Sequence, residues 1–290
     1  MGIKSPFYST VAGRAQCNEE LIVAIGLEIS QEDITMKIVS WNVNGIRACY
    51  KKGLLDFIQQ EKPDVLCLQE TKAHIDQVEE PARKLGFRQS HWSSAVRKGY
   101  SGVATFFNDE IQSQSVGTGV KEYDSEGRFV ITEHKHFDLY NIYFPNGGSG
   151  EVRHQFKQEF LKHLHAHLQA ELKKGRGIVV VGDYNIAHTE IDLYDPVRLS
   201  KESGFLPEER EWMNRFLGEG FVDTFRHFHP QEKDRYSWWS YRELARVGNR
   251  GWRIDYICVS KNLVKNLKSA DILDQVEGSD HCPVVAEFEF

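Results

Sequence analysis

The chain has 290 residues, 40% hydrophobic and 27% charged, long enough to bury a large core without disulfides or a structural metal. Its five cysteines, at positions 17, 49, 67, 258 and 282, form no Cys-x-x-Cys pair, which excludes a zinc ribbon and a dithiol redox motif and fits a reducing compartment. The net charge of −6 counts against a broad nucleic-acid surface, but half of that excess lies in residues 1–35, where Lys4 and Arg14 meet Glu19, Glu20, Glu28, Glu32 and Asp33.

Residues 1–35 hold one weak apolar stretch, Leu21–Leu27, behind Glu19-Glu20, unlike a secretory segment with a positive start. They are read as an extension without an assigned role. No apolar run in the chain approaches the roughly 20 residues of a membrane span, so a soluble cytoplasmic protein with no membrane partner is expected.

From Met36 onward strand and helix patterns alternate, and one α/β domain over residues 36–290 is expected. Strands are predicted at Lys37–Asn42, Val65–Glu70, Gly102–Phe107, Phe129–His134, Leu139–Tyr143, Ile178–Val181, Arg253–Val259 and Val284–Phe288. Helices are predicted at Gly53–Glu61, Gln77–Leu85, Glu151–Lys174 and Pro207–Gly218, the last opened by Pro207, Glu208 and Glu209. In the third helix Phe156, Phe160, Leu164, His167 and Leu168 make one apolar face. His163, His165 and His167 are two apart, point in different directions, and are not read as metal ligands. Cys67, inside an apolar run, is read as a small core residue.

Several apolar runs stop at polar groups. Trp41-Asn42-Val43-Asn44-Gly45, Gln69-Glu70-Thr71-Lys72, Tyr143-Phe144-Pro145-Asn146 and Gly182-Asp183-Tyr184-Asn185 each place a carboxylate, amide or phenol before a turn. Strand ends facing one way are where α/β proteins build active sites. Asp255 interrupts an apolar strand, and a carboxylate there costs free energy unless paired. His281, in Ser279-Asp280-His281-Cys282-Pro283, is its natural partner: Asp255 would orient the imidazole and raise its pKa.

These groups suit metal-assisted phosphodiester hydrolysis. Glu70, with Asn42 and Asp280, offers oxygen ligands that fit Mg²⁺ or Mn²⁺ rather than zinc. Asp183 would take the proton of the attacking water, and His281, Asn185 and Tyr143 would donate to the phosphate oxygens. Tyr236–Tyr241 and Asn249–Arg253 then bring aromatics together with Arg235, Arg242, Arg246, Arg250 and Arg253, a composition suited to a distorted nucleic-acid backbone. Trp238 and Trp252 are read as pocket walls, with one of Trp238 and Trp239 expected in the core.

Taken in order, Ser40–Ala48, Leu68–Lys72, Gly99–Val103, Gly182–Ala187, Gly251–Tyr256 and Gly278–Pro283 resemble the motif series of exonuclease III-type apurinic/apyrimidinic endonucleases, of the endonuclease/exonuclease/phosphatase superfamily. The resemblance runs from about Met36 to the C-terminus. It implies a two-sheet α/β sandwich flanked by helices, incision 5′ to abasic sites in double-stranded DNA, and trimming of blocked 3′ ends by phosphodiesterase, phosphatase or exonuclease action. By motif position, Glu70 is similar to the main metal ligand, with Asn42 and Asn44 beside it and Asp280 as a second carboxylate. Arg128 is similar to a backbone-contacting arginine, and Tyr100 and Asn146 join Trp238 and Trp252 as substrate contacts. A monomer, associated with the nucleoid during repair, is expected.

Two departures bear on activity. Some relatives carry Asp where this chain has Asn44, and the loop Gly147–Gly150 lacks the basic residue that some relatives use against DNA. The balance among abasic incision, exonuclease and 3′-repair activity stays open. So do two rivals: a superfamily phosphodiesterase acting on phosphoinositides, sphingomyelin or RNA tails, and a non-catalytic nucleic-acid-binding protein with the same fold.

Overall fold

Val65-Leu66-Cys67-Leu68 and Ile178-Val179-Val180-Val181 are apolar at every position, as strands covered on both faces must be. In the computed structural model, which describes residues 34–290, both are central strands. The readings made of residues 1–33, Cys17 included, lie outside the described residues; Ile34–Phe290 form one unit.

The strands are β1 (Thr35–Asn42), β2 (Val65–Gln69), β3 (Gln89–Ser93), β4 (Val103–Phe107), β5 (Ser113–Val116), β6 (Phe129–Glu133), β7 (Phe137–Tyr143), β8 (Gly177–Asp183), β9 (Phe221–Asp223), β10 (Asp255–Ser260), β11 (Leu267–Ile272) and β12 (Val284–Glu289). The helices are α1 (Ile46–Cys49), α2 (Leu55–Glu61), α3 (Glu80–Lys84), α4 (Lys121–Asp124), α5 (Glu151–Leu172), α6 (Pro207–Gly218) and α7 (Thr224–Phe228). One six-stranded sheet has the order β11-β12-β1-β2-β4-β3, the other β5-β6-β7-β8-β10-β9. Each has one parallel pair at its centre, β1 with β2 and β7 with β8, and antiparallel pairs elsewhere. The two sheets therefore repeat one pattern of strand directions.

Alternation along the strands builds three apolar layers. Ile38, Val65, Cys67, Leu139, Val179, Val181 and Ile257 pack between the sheets. Val39, Trp41, Leu66, Leu68 and Phe106 face outward under Ile46, Leu54, Phe57, Ile58 and Leu85. On the other side Tyr140, Ile142, Ile178, Val180 and Tyr256 lie under Phe160, Leu164 and Leu168 of α5 and Trp212, Met213 and Phe216 of α6. Each such side chain contributes about 1.5–3 kcal/mol when fully buried. The result is the expected sandwich flanked by helices.

All eight predicted strands form, with ends displaced by up to about two residues. The sequence reading missed β3, β5, β9 and β11, and these are the four sheet edges. An edge strand has one neighbour and less covering, so it carries a weaker apolar signal; β5 is exposed at every position. The predicted helix Gly53–Glu61 is corrected. Helical chain begins at Ile46 and is broken at Lys52 and Gly53, where Gly53 adopts φ 102°. Gln77–Leu85 divides into a 3₁₀ turn at Ile75–Gln77 and α3, whose first turn contains Pro81.

Candidate active site

The C-terminal ends of the two parallel pairs meet at one end of the sandwich. Asn42 lies beside Gln69 in the first sheet, and Tyr143 beside Asp183 in the second. The Asn42 amide donates to Asp183 Oδ2 at 2.9 Å and so bridges the sheets. Gly182 permits the close pairing of β8 with β7 just before Asp183, since a Cβ there would sit 1.8 Å from the Ile142 carbonyl oxygen.

Beyond the strand ends the chain turns sharply. Asn44, Glu70, Lys72, Ser101 and Asn185 all adopt φ between 44° and 53°. For residues with a Cβ this left-handed backbone costs about 1–3 kcal/mol each. Cross-loop bonds hold it: Gly45 N–H donates to Glu70 O at 2.7 Å, and Lys72 N–H to Ser101 O at 2.8 Å. The strained turns aim the side chains of Asn44, Glu70, Lys72 and Asn185 into one cavity.

Asp183 is held by three hydrogen bonds. Its Oδ1 accepts from the Asn185 backbone N–H at 2.9 Å, and its Oδ2 from the amides of Asn42 and Asn185. Burial pushes its pKa up to about 7, the Asp255 charge adding to the rise and His281 opposing it. His281 Nδ1 lies 2.8 Å from Asp255 Oδ2, and Nε2 points toward Asp183 Oδ2 at 3.9 Å. Burial alone would lower the His281 pKa, but Asp255, by charge and hydrogen bond, and then Asp183 raise it to about 10. The ring is an imidazolium at neutral pH. Tyr143 is pushed well above the usual phenol range by burial and by Glu70 and Asp183, so it stays protonated.

Two amides take roles beyond those expected. Asn42 accepts from Asn44 N–H through its oxygen at 3.0 Å and turns its amide hydrogens to Glu70, at 3.0 Å, and Asp183. It orients both carboxylates, a donor role that the sequence reading of Asn42 as a metal ligand did not include. Asn185 donates to Phe144 O and Asp183, while its own oxygen accepts from Asn146 at 2.9 Å. Both amide hydrogens are engaged, so in this arrangement Asn185 positions Asp183, a role beyond the phosphate contact expected of it.

Hard oxygen donors cluster at the cavity floor. The carboxylate of Glu70 and the amide oxygen of Asn44 both meet the Lys72 ammonium, with Nζ 2.6 Å from Glu70 Oε2. Asp280 accepts from Asn44 Nδ2 at 2.9 Å and from Trp238 Nε1 at 3.2 Å. Although burial raises the Glu70 pKa, Lys72 and the Asn42 amide outweigh it and hold the carboxyl below its ordinary value. Among the described residues, the ligand atoms of Glu70, Asp183 and His281 also lie within 4.8 Å of one another. The Glu70 carboxylate and the Asn44 amide oxygen, with Asp280 beside them, are a second group of donors that could hold a cation. This donor set fits a hard divalent ion, and an ammonium already stands there as a surrogate.

The cavity measures about 580 Å³ and opens between the two halves of the strand-end cluster. Trp238 and Trp252 form one wall, ring centroids 6.4 Å apart in an edge-on arrangement, and Trp238 stands 6.3 Å from the His281 ring. Trp239 is buried in the inter-sheet core, under Arg246. Asn146 lies on the rim. The sequence reading did not single out Tyr194, Arg198, Leu199 or Ile254, which complete the wall, or Lys72, which lay unassigned inside a quoted motif. The loop carrying Tyr194 and Arg198 has no periodicity to mark it.

The arginines depart most from expectation. Arg128 is 1% exposed, donating to Tyr143 O at 2.6 Å and paired with Glu126 at 2.6 Å, so it buttresses Tyr143 rather than facing a backbone. Tyr100 is tied beside it, its hydroxyl accepting from Arg153 at 2.9 Å, and lies outside the cavity lining. Arg253 is also 1% exposed, bound to Asp192 at 2.7 Å and Asp223 at 2.8 Å. Arg235 pairs with Glu232, Asp271 and Asp274, and Arg246 caps the carbonyls of Asp274 and Val276. Of this group Arg250 lines the cavity and Arg242 is exposed. His165 turns away to Glu219, whereas His163 and His167, four apart on α5, stack with ring centroids 6.5 Å apart; among the described residues the three form no metal-competent group.

Residues 39–281 match the Endonuclease/Exonuclease/phosphatase family. The chain is 42% identical over 250 residues to an exodeoxyribonuclease of Bacillus subtilis, an alignment covering 86% of this chain and 98% of that protein. It is 40% identical over 253 residues to the DNA repair nuclease APEX1 of Danio rerio, covering 86% and 81% respectively. The solved structure of an AP endonuclease from Archaeoglobus fulgidus superposes with a TM-score of 0.78 at 30% identity, covering 87% of this chain and 99% of that one.

Proposed function

The chain belongs to the Endonuclease/Exonuclease/phosphatase family, and on that premise we propose that it is a DNA-repair nuclease that cuts the backbone 5′ to abasic sites and trims blocked 3′ ends. We propose Mg²⁺, or Mn²⁺, as its cofactor. The observation that carries this reading is the convergence of Asp183, His281 and Tyr143 on a cavity walled by Trp238 and Trp252. An abasic sugar, lacking its base, exposes an apolar face that can pack on the wall formed by the two rings.

Each side chain has a task that follows from its surroundings. Asp183, with its pKa pushed up to about 7, is a competent base toward water near neutral pH. Asn42 and Asn185 fix the direction of its oxygens. His281, kept cationic by Asp255, donates from Nε2 to a phosphate oxygen as negative charge builds. Tyr143 adds a second donor, its ring braced by Arg128 at 4.8 Å. Glu70 and Asn44, with Asp280 nearby, would hold the cation, which supplies charge neutralisation at the scissile phosphate. One chain carries the complete set, which supports action as a monomer on duplex DNA. No helix among the described residues is long and apolar enough to cross a membrane.

The test is gel-resolved cleavage of a labelled duplex carrying one tetrahydrofuran abasic analogue, with Mg²⁺, with EDTA, and with Asp183→Ala. A Mg²⁺-dependent cut 5′ to the analogue, lost in the variant, is expected. Shortening from the 3′ end without incision would reassign the enzyme to exonuclease or 3′-end repair. Inactivity on both would turn the reading to a lipid or RNA phosphodiesterase.

A further inference from the structure

Lys72 stands where the proposed metal centre would keep its cation. Its Nζ lies 2.6 Å from Glu70 Oε2 and donates to Asn44 Oδ1. Its backbone is pinned by the bond from its N–H to Ser101 O and by the left-handed turn at φ 49°. The arrangement answers an electrostatic problem. Glu70, Asp183, Asp255 and Asp280 gather at one end of the sandwich, and carboxylates that close repel. His281 bonds to Asp255 and leans toward Asp183, leaving Glu70 to Lys72. The lysine side chain is 33% exposed and lines the cavity, so its four-carbon stem can swing into open space without disturbing the core.

We propose that Lys72 is the resident counter-ion of the metal centre: its ammonium holds Glu70 Oε2 and Asn44 Oδ1 in the metal-free chain and competes with the divalent cation for both. Metal binding then releases Lys72 into the cavity, and the lysine sets the metal affinity. This rests on the reading of Glu70 and Asn44 as the cation-binding groups.

The test is direct Mn²⁺ binding to the DNA-free chain, read by electron paramagnetic resonance of the free ion. Wild type is compared with Lys72→Met, Lys72→Gln, Lys72→Arg and Glu70→Ala. Removing the competing charge in Lys72→Met or Lys72→Gln is expected to tighten Mn²⁺ binding by roughly tenfold. Lys72→Arg, which keeps the charge, should stay near wild type. The gain in melting temperature on adding saturating Mn²⁺ should also be larger in the two neutral variants. Affinity that is unchanged or weaker in both neutral variants overturns the role of Lys72, as does equal tightening in Lys72→Arg. Binding that Glu70→Ala leaves untouched removes the metal centre itself, and this inference with it.

Discussion

His281 Nδ1 and Asp255 Oδ2 lie 2.8 Å apart, joining residues from a loop and from β10 that are 26 positions apart, and both are nearly sealed from solvent. Truncating one partner of such a pair leaves the other without its counter-charge.

Asp255→Asn tests the electrostatic consequence. His281 has a folded pKa raised to about 10, above its ordinary 6.5, so the proton it holds stabilises the fold below pH 6.5 and that stability is lost as pH rises through about 10. Without Asp255 the histidine should titrate at lower pH, and the alkaline limb of the rate profile should move with it. The variant should also lose about 10²–10⁴ in kcat. An NMR titration of the ring is the check; an unchanged His281 pKa would falsify the pairing as its cause.

Glu70→Ala should raise the Mg²⁺ concentration for half-maximal activity by at least about tenfold, because Glu70 is the one carboxylate bonded to the resident ammonium. A metal titration of incision rate measures it. An unshifted midpoint would remove Glu70 from the ligand set.

Trp252→Ala should reduce incision at the abasic analogue more than removal of a 3′-phosphate, since Trp252 stands in the cavity wall while Asp183 and His281 form the floor. Rates on the two substrates, measured side by side, decide this. Equal losses would mean that the ring only supports the fold.

Asp192→Asn should destabilise the protein by about 3–5 kcal/mol at pH 7, as expected for breaking a buried charge pair. Burial would raise the Asp192 pKa, but Arg253 and then Arg226 hold it well below the ordinary carboxylate range. A depressed folded pKa gives stability that is present above the unfolded value, near 3.8, and lost as pH falls through the folded one. Urea unfolding from pH 7 down to pH 3 should therefore show a flatter acid decline in Asp192→Asn. Parallel curves would count against the pair as its source.

The network around Asp192 also shows why composition misled the sequence reading of the arginines. Trp252 and Ile254 face the cavity, so on this extended segment Arg253 must face away, into a site that Asp192 and Asp223 supply. Asp192 is 61 positions from Arg253, and spacing cannot announce such a partner. Edge strands escaped for a related reason, having less apolar surface to bury. Asn42 was legible as a site residue but not as a donor, because the Asn44 N–H that claims its oxygen is fixed by the turn.

The sequence by itself determined the central strands and the helices α5 and α6, and it singled out Glu70, Asp183, Asp255 and His281, which the fold brings together. These follow from local rules: apolar period, strand-end polarity, and the cost of a carboxylate in an apolar run. Tertiary structure alone decided which arginines are buried, that the Asn42 amide bridges the sheets to Asp183, and that an ammonium rests on Glu70. Those are matters of which charge or ring meets which across the sandwich, and only the packed sheets bring such distant partners within a few ångströms.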